Sequence, residues 1–260
     1  MISLAESPHE KFNFPCGETH IKLINYPGEY PLIRWEYESD SEIMEYLLIV
    51  DILRRRNLDF HLFLPYVPFS RQDRVTSFQE PFSLKVFCDL INNSGPKSVT
   101  IEDPHSYVTS ALLNNVNIVP QESIFRLHLR GRKNFWLVSP DAGALKKTYK
   151  LSSYADVNPI GIIECSKNRD IHTGKITSTN VNFRDIYGWP DPGIVKDHDF
   201  ILVDDICDGG RTFIEISKQL KFWFPENKII LMVTHGFFTK GLEVFDGLID
   251  EIYTRKGRMK

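Results

Sequence analysis

The sequence predicts an α/β fold with a mostly parallel sheet. Short β-branched or aromatic runs alternate with segments of helical period, and Gly- or Pro-bearing junctions separate them. The composition is that of an ordinary globular chain, with 42% apolar and 25% charged residues and 15 each of Gly and Pro in 260 residues. That excludes collagen, coiled coil and wholesale disorder. At roughly 150 residues per domain, the length allows one large domain or two modest ones.

The clearest helix runs from Glu42 to Arg56: Ser39 and Glu42 have capping-box spacing, and Ile43, Leu47 and Val50, flanked by Met44 and Leu48, form an apolar stripe. His61 to Leu64 reads as a buried strand, Phe82 to Asn92 as a helix that ends at Asn93-Ser94-Gly95-Pro96, and Ser98 to Glu102 as the next strand. Near residue 120 the cycle restarts. Ser123 to Leu129 and Ala144 to Tyr149 read as helices, Phe135 to Ser139 and Ile160 to Glu164 as strands. Lys175 to Asn182 pairs with the last of these across His172-Thr173-Gly174. Phe200 to Val203, Thr212 to Phe222 and Ile229 to Val233 complete a strand, a helix and a strand, and the basic tail from Arg255 reads as frayed. The expected division is 1–120, 121–245 and a C-terminal segment 246–260 that packs back on the first half.

Lys and Arg number 31 against 34 Asp and Glu, a net charge of -3, so no global basic surface points to nucleic acid. No apolar run approaches the ~18 residues that cross a bilayer. The N-terminal stretch carries Glu6, Pro8, Glu10 and Pro15 where a signal peptide is apolar. The four cysteines stand far apart, with no C-x-x-C pair for a zinc site or disulfide framework. A cytoplasmic protein with neither nucleic-acid nor membrane partners is expected.

The most informative stretch joins an apolar strand to Asp204-Asp205 and then to Asp208-Gly209-Gly210-Arg211-Thr212. Adjacent carboxylates at a strand end can accept hydrogen bonds from vicinal ribose hydroxyls. A glycine turn into a helix offers free N-H groups and a positive dipole end to phosphate. The plainer alternative is an acidic strand end whose Gly turn merely starts the helix. This segment resembles the phosphoribosyl-pyrophosphate motif of type I phosphoribosyltransferases and phosphoribosyl-pyrophosphate synthetases.

Upstream, Pro65-Tyr66 followed by Arg71-Gln72-Asp73-Arg74 resembles the synthetases' P-Y-x-x-x-x-R-Q-D-R/K, and Glu80 to Lys85 continues the match. An Arg can lie on a purine face while Gln and Asp meet its polar edge; taken alone, the same run reads as a solvated charged loop. Glu102-Asp103-Pro104-His105-Ser106 resembles D-L-H-A, with Pro104 in place of Leu. Val138-Ser139-Pro140-Asp141-Ala142-Gly143-Ala144 resembles S-P-D-A-G-G. Phe14-Pro15-Cys16-Gly17-Glu18 resembles F-x-D/N-G/Q-E, and also reads as a core Phe before a turn. Lys167-Asn168-Arg169 resembles the K-x-R of a flexible catalytic loop, and reads otherwise as a solvated hairpin tip.

These motifs, in order from about Phe14 to Asp250, resemble the phosphoribosyl-pyrophosphate synthetase family as a short, divergent member. The resemblance implies two phosphoribosyltransferase-type, Rossmann-like domains with mostly parallel sheets and the active site between them. It also implies a dimer-based homo-oligomer and Mg2+ as cofactor. ATP would be held by Phe14, Glu18, Arg71, Gln72 and Asp73, with Phe14 and Glu18 from a neighbouring subunit. Magnesium would lie by His105 and Asp141, and pyrophosphate by the loop Asp141, Ala142 and Gly143. Asp204, Asp205, Asp208, Gly209, Gly210, Arg211 and Thr212 would hold the ribose phosphate, and Lys167, Arg169 and His105 would act in catalysis. The implied reaction moves the β,γ-diphosphoryl group of ATP to C1 of ribose 5-phosphate. Two departures admit ADP-ribose and nicotinamide salvage instead: the family's usual D-T-A-G-T is here Asp208-Gly209-Gly210-Arg211-Thr212, and only 13 residues precede Phe14, leaving an open edge. A regulatory subunit and a base phosphoribosyltransferase are the other readings weighed.

Overall fold

The computed structural model describes residues 1–5, 7–169, 176–182, 195 and 197–260. It has the expected α/β class and falls into two compact units, Met1–Pro120 and Gln121–Lys260.

The first unit runs β1 (Ile2–Leu4), β2 (His9–Asn13), β3 (Thr19–Leu23), β4 (Leu32–Trp35), α1 (Ser41–Arg55), β5 (His61–Phe63), α2 (Ser83–Ser94), β6 (Ser98–Glu102), α3 (Tyr107–Leu112) and β7 (Val116–Val119). Its sheet has the order β1-β4-β5-β6-β7, parallel throughout except for β1. The expected open edge near the N-terminus is therefore corrected, because β1 pairs along β4 there. Strands β2 and β3 form a separate hairpin, held to α1 by His9 and Lys11, whose side-chain nitrogens lie 2.9 and 2.6 Å from the Glu45 carboxylate.

Helix α1 forms where expected, but its buried face is Tyr46, Ile49, Val50 and Leu53, rotated from the stripe read in the sequence. Two glutamates move that face. Glu45 is buried because the His9 ring and the Lys11 ammonium of the hairpin meet it, and Glu42 because its Oε2 accepts from Trp35 Nε1 at 3.0 Å and from the Glu38 N-H at 2.9 Å. Glu42 thus reaches back to residue 38, so the expected capping box with Ser39 does not form, and the N-cap is Asp40.

The second unit runs α4 (Gln121–Leu129), β8 (Phe135–Ser139), α5 (Ala142–Ser152), β9 (Gly161–Arg169), β10 (Ile176–Asn182), β11 (Asp199–Cys207), α6 (Arg211–Trp223), β12 (Ile229–Gly236), a 3-10 turn at Glu243–Phe245, β13 (Glu251–Thr254) and β14 (Gly257–Arg258). The sheet order is β10-β9-β8-β11-β12-β13-β14, with the antiparallel strands β10 and β14 at its edges. Strand β8 is buried along its whole length and β12 along all but its last residue, which is why they read as continuous apolar runs. The C-terminal tail, expected as a separate segment on the first half, instead supplies β13 and β14 of this sheet.

Candidate active site

In the first unit, two of the sequence motifs meet at one sheet edge. Strands β5 and β6 are parallel neighbours, and the loops that leave their carboxyl ends carry Arg71-Gln72-Asp73-Arg74 and Asp103-Pro104-His105-Ser106. Ligands bind at such ends in open α/β sheets. Asp73 is buried beneath exposed Arg71 and Gln72, and its Oδ1 accepts from Arg74 Nε at 2.7 Å. The Arg74 hydrogen bond holds the Asp73 carboxyl below its ordinary value against burial, helped by the Ser106 hydroxyl and the charges of Arg74 and His105. Each loop also holds a non-glycine residue in the left-handed region, Phe69 at φ 61° and Asp103 at φ 40°. Such strain persists only where surrounding structure imposes it.

Phe14 and Glu18 lie on a different element, the turn of the β2–β3 hairpin. The Phe14 N-H donates to Glu18 O at 2.8 Å, and Gly17, at φ 94°, closes the loop. Phe14 is 46% exposed and packs edge-on to Phe12 with ring centroids 5.3 Å apart, so it is not a core residue.

In the second unit, β11 is longer than the sequence run suggests, and this moves the acidic pair. Pairing with β8 stops at Leu202, whereas pairing with β12 continues to Cys207. Asp204 and Asp205 therefore stand on the part of β11 that projects past β8, within the strand and not at its tip. Asp204 Oδ1 accepts from the Asp205 N-H at 2.9 Å. Burial pushes the Asp204 carboxyl well above the usual range, and the nearby charges of Asp205 and Asp141 add to that. Asp141 caps α5, its Oδ1 accepting from the Gly143 and Ala144 N-H groups at 2.9 and 3.1 Å. Ala142 and Gly143 thus form the first turn of that helix.

Helix α6 starts differently. Its N-cap is Gly210, in the left-handed region at φ 75°, with no side chain capping it and no acid in its first turn. Phe245 packs so closely that a Cβ on Gly210 would come 2.4 Å from its Cζ. Arg211 is exposed at the first helical position, Thr212 half-buried beside it, and Asp208 exposed just before the turn. An uncapped start of this kind offers N-H groups and the positive helix end to an anion.

Lys167 and Arg169 lie on the backbone of β9, opposite Thr179 and Ile176 of β10, where a loop was expected. The expected turn at 172–174 lies outside the described residues. His105 belongs to the first unit and Asp141 to the second. Sequence reading missed Lys147, on α5, whose Nζ is 3.7 Å from Asp205 Oδ2. The Lys146-Lys147 pair just after the Asp141 loop was the available signal.

A ribose-phosphate pyrophosphokinase of Mycoplasma genitalium is 30% identical to this chain, over 97% of it and 76% of the relative. The chain belongs to the ribose-phosphate pyrophosphokinase family. The family's enzyme from Thermococcus kodakarensis is 28% identical over 92% of this chain and 81% of its own. Among solved structures, phosphoribosylpyrophosphate synthetase from Mycobacterium smegmatis matches with a TM-score of 0.76 and 20% identity, covering 96% of this chain and 80% of that one, a likeness of fold. The phosphoribosyl transferase domain family matches residues 110–241. Members of the pyrophosphokinase family are ATP-dependent enzymes, and the candidate residues described above lie on two phosphoribosyltransferase-type α/β units.

Proposed function

We propose that this chain transfers the β,γ-diphosphoryl group of ATP to the C1 hydroxyl of a 5-phosphorylated ribose and releases AMP. The observation that carries this reading is the pairing of Asp204 and Asp205 with the uncapped, glycine-opened start of α6. It is a diol grip beside a phosphate cradle.

In this reading Asp204 and Asp205 accept from the ribose 2- and 3-hydroxyls, and the N-H groups from Gly209 to Thr212 hold the 5-phosphate. That fixes the C1 hydroxyl for in-line attack. Its oxygen bonds to the β-phosphorus, the bond from that phosphorus to the α,β-bridging oxygen breaks, and the hydroxyl proton is released. AMP leaves with the bridging oxygen. Arg71 and Gln72 hold adenine, Asp73 orients the loop through Arg74, and Phe14 and Glu18 of a neighbouring copy complete the base pocket. Exposure of Phe14 supports the last point, and with it a dimer-based assembly. Lys167 and Arg169 neutralise charge on the transferred group.

Mg2+ fits the donor set. Among the described residues no three His, Cys, Asp or Glu side chains are placed to hold a metal by themselves. That suits a cation carried largely by substrate phosphates, the usual manner of Mg2+. The repulsion that Asp141 and Asp205 exert on Asp204 supports Asp141 as one residue that would hold the cation, and the family resemblance adds His105. When bound, Mg2+ supplies charge neutralisation on the triphosphate.

Two acceptors suit this chemistry. Ribose 5-phosphate is a ribose phosphate, the class of compound in the relatives' name. ADP-ribose, the second, keeps the ribose and adds a diphosphate and adenosine at C5, and its product would serve nicotinamide salvage. Arg211, entering the loop from Asp208 to Thr212, favours the second, because a guanidinium forms bidentate contacts with phosphate oxygens. Incubation with Mg-ATP and each acceptor in turn tests the proposal. AMP release that depends on an acceptor supports it, and the better acceptor names the substrate. Absence of AMP with both would point to the regulatory-subunit alternative.

A further inference from the structure

Beyond β12 the chain folds back onto the end of β11. The Phe237 N-H donates to the Cys207 carbonyl at 2.8 Å and the Thr239 N-H to the Asp208 carbonyl at 3.1 Å. The Thr239 hydroxyl donates to Asp208 Oδ1 at 2.8 Å. Between them Phe238 sits at φ 46°, a conformation a bulky residue takes only when its surroundings impose it. Held this way, Lys240 lays its stem over the phosphate loop. A Cβ built on Gly209 would be 3.4 Å from Lys240 Cε, 3.5 Å from Cδ and 3.6 Å from Cγ. The lysine stem thus covers the face where the threonine of D-T-A-G-T would stand.

Two cations now flank the same helix start, Lys240 over Gly209 and Arg211 at the first helical position. The positive end of a helix does not attract cations by itself. An anion reverses that. A phosphate monoester concentrates its charge on one phosphorus, which the loop N-H groups and one cation can satisfy. A bridging diphosphate carries one charge on each of two phosphorus atoms, and two separate cations match it. We infer that Lys240 is a specificity-determining residue that, with Arg211, binds the second phosphoryl group of a C5-diphosphate-linked ribose such as ADP-ribose.

This rests on the reading of the loop as the acceptor's phosphate site, so binding and turnover are measured separately. The probes are ADP-ribose and ribose 5-phosphate, titrated calorimetrically into the wild type, Lys240→Met and Lys240→Arg, with AMP release followed in parallel. The wild type is expected to bind ADP-ribose the tighter of the two. Lys240→Met should weaken ADP-ribose about tenfold and ribose 5-phosphate less than about twofold, and Lys240→Arg should recover most of the loss. A structural role would weaken both ligands together and would not be rescued by Arg. Equal weakening of both, no weakening, or no wild-type preference for ADP-ribose overturns the inference. If neither acceptor releases AMP, the diphosphokinase reading fails, while the affinities still decide the role of Lys240.

Discussion

Asp204 keeps its proton to an unusually high pH, because burial disfavours its charge and Asp205 and Asp141 repel it. Over the window between the ordinary carboxylate value and that raised one, the folded chain holds a proton that the unfolded chain has released. Stability therefore falls as pH rises through the window. Asp204→Asn should remove this slope and raise stability at neutral pH by on the order of 1 kcal/mol. Thermal denaturation across pH checks this, and an unchanged slope would contradict the account. The same variant should lower acceptor-dependent AMP release, since Asn has one accepting oxygen where Asp204 has two, one of them already engaged by the Asp205 N-H. Under the proposed function, this is the cost of gathering acids before ligands arrive. The acid pair stood out in the sequence because the turn Gly209-Gly210-Arg211-Thr212 follows it; the two carboxylates alone read equally well as an acidic strand end. The contacts of Lys147 with Asp205 and of Lys240 with Gly209 were not legible, because each joins residues on different elements.

Helix α6 shows how one departure from the family loop follows from packing. Ala is the usual residue where Gly210 stands, but a side chain there would collide with Phe245 and take a left-handed conformation. Gly210→Ala should destabilise by about 1 to 2 kcal/mol from the backbone alone, more if Phe245 cannot yield. Gly209→Ala is the matched control, since its Cβ would meet only ordinary contacts with the Lys240 stem. Urea denaturation of the two variants compares them directly, and equal stabilities would sink the packing argument. Helix and strand centres were readable from period and composition. Their ends were not: β9 and β11 extend because neighbouring strands continue to pair with them, which no local run of residues signals. The same holds for β1, whose three residues become a strand only because β4 lies beside them.

At the scale of the whole molecule, the proposed function draws on both units. The Asp73 and His105 loops lie at the carboxyl edge of the first sheet, and the Asp204 pair and the α6 start lie at that of the second. The motifs were legible as short runs of residues, but the acid pair and Lys167 and Arg169 stand within strands β11 and β9 and not in strand-end loops. The hairpin bearing Phe14 was less legible, since its neighbour's chain is where its role would lie. If Phe14 completes the base pocket of an adjacent copy, Phe14→Ala and Lys167→Ala each lower turnover, the latter about a hundredfold. Mixing the two should then recover activity, because hybrid assemblies contain sites with both native residues. Persistent inactivity of the mixture would place Phe14 in its own chain's site or outside the site. The central claim, transfer of a diphosphoryl group, is tested most directly by following ATP labelled at its β-phosphorus in the presence of acceptor. The label should appear in a diphosphate on C1 of the ribose, with AMP formed in equal amount. Release of ADP with a singly phosphorylated acceptor would contradict it.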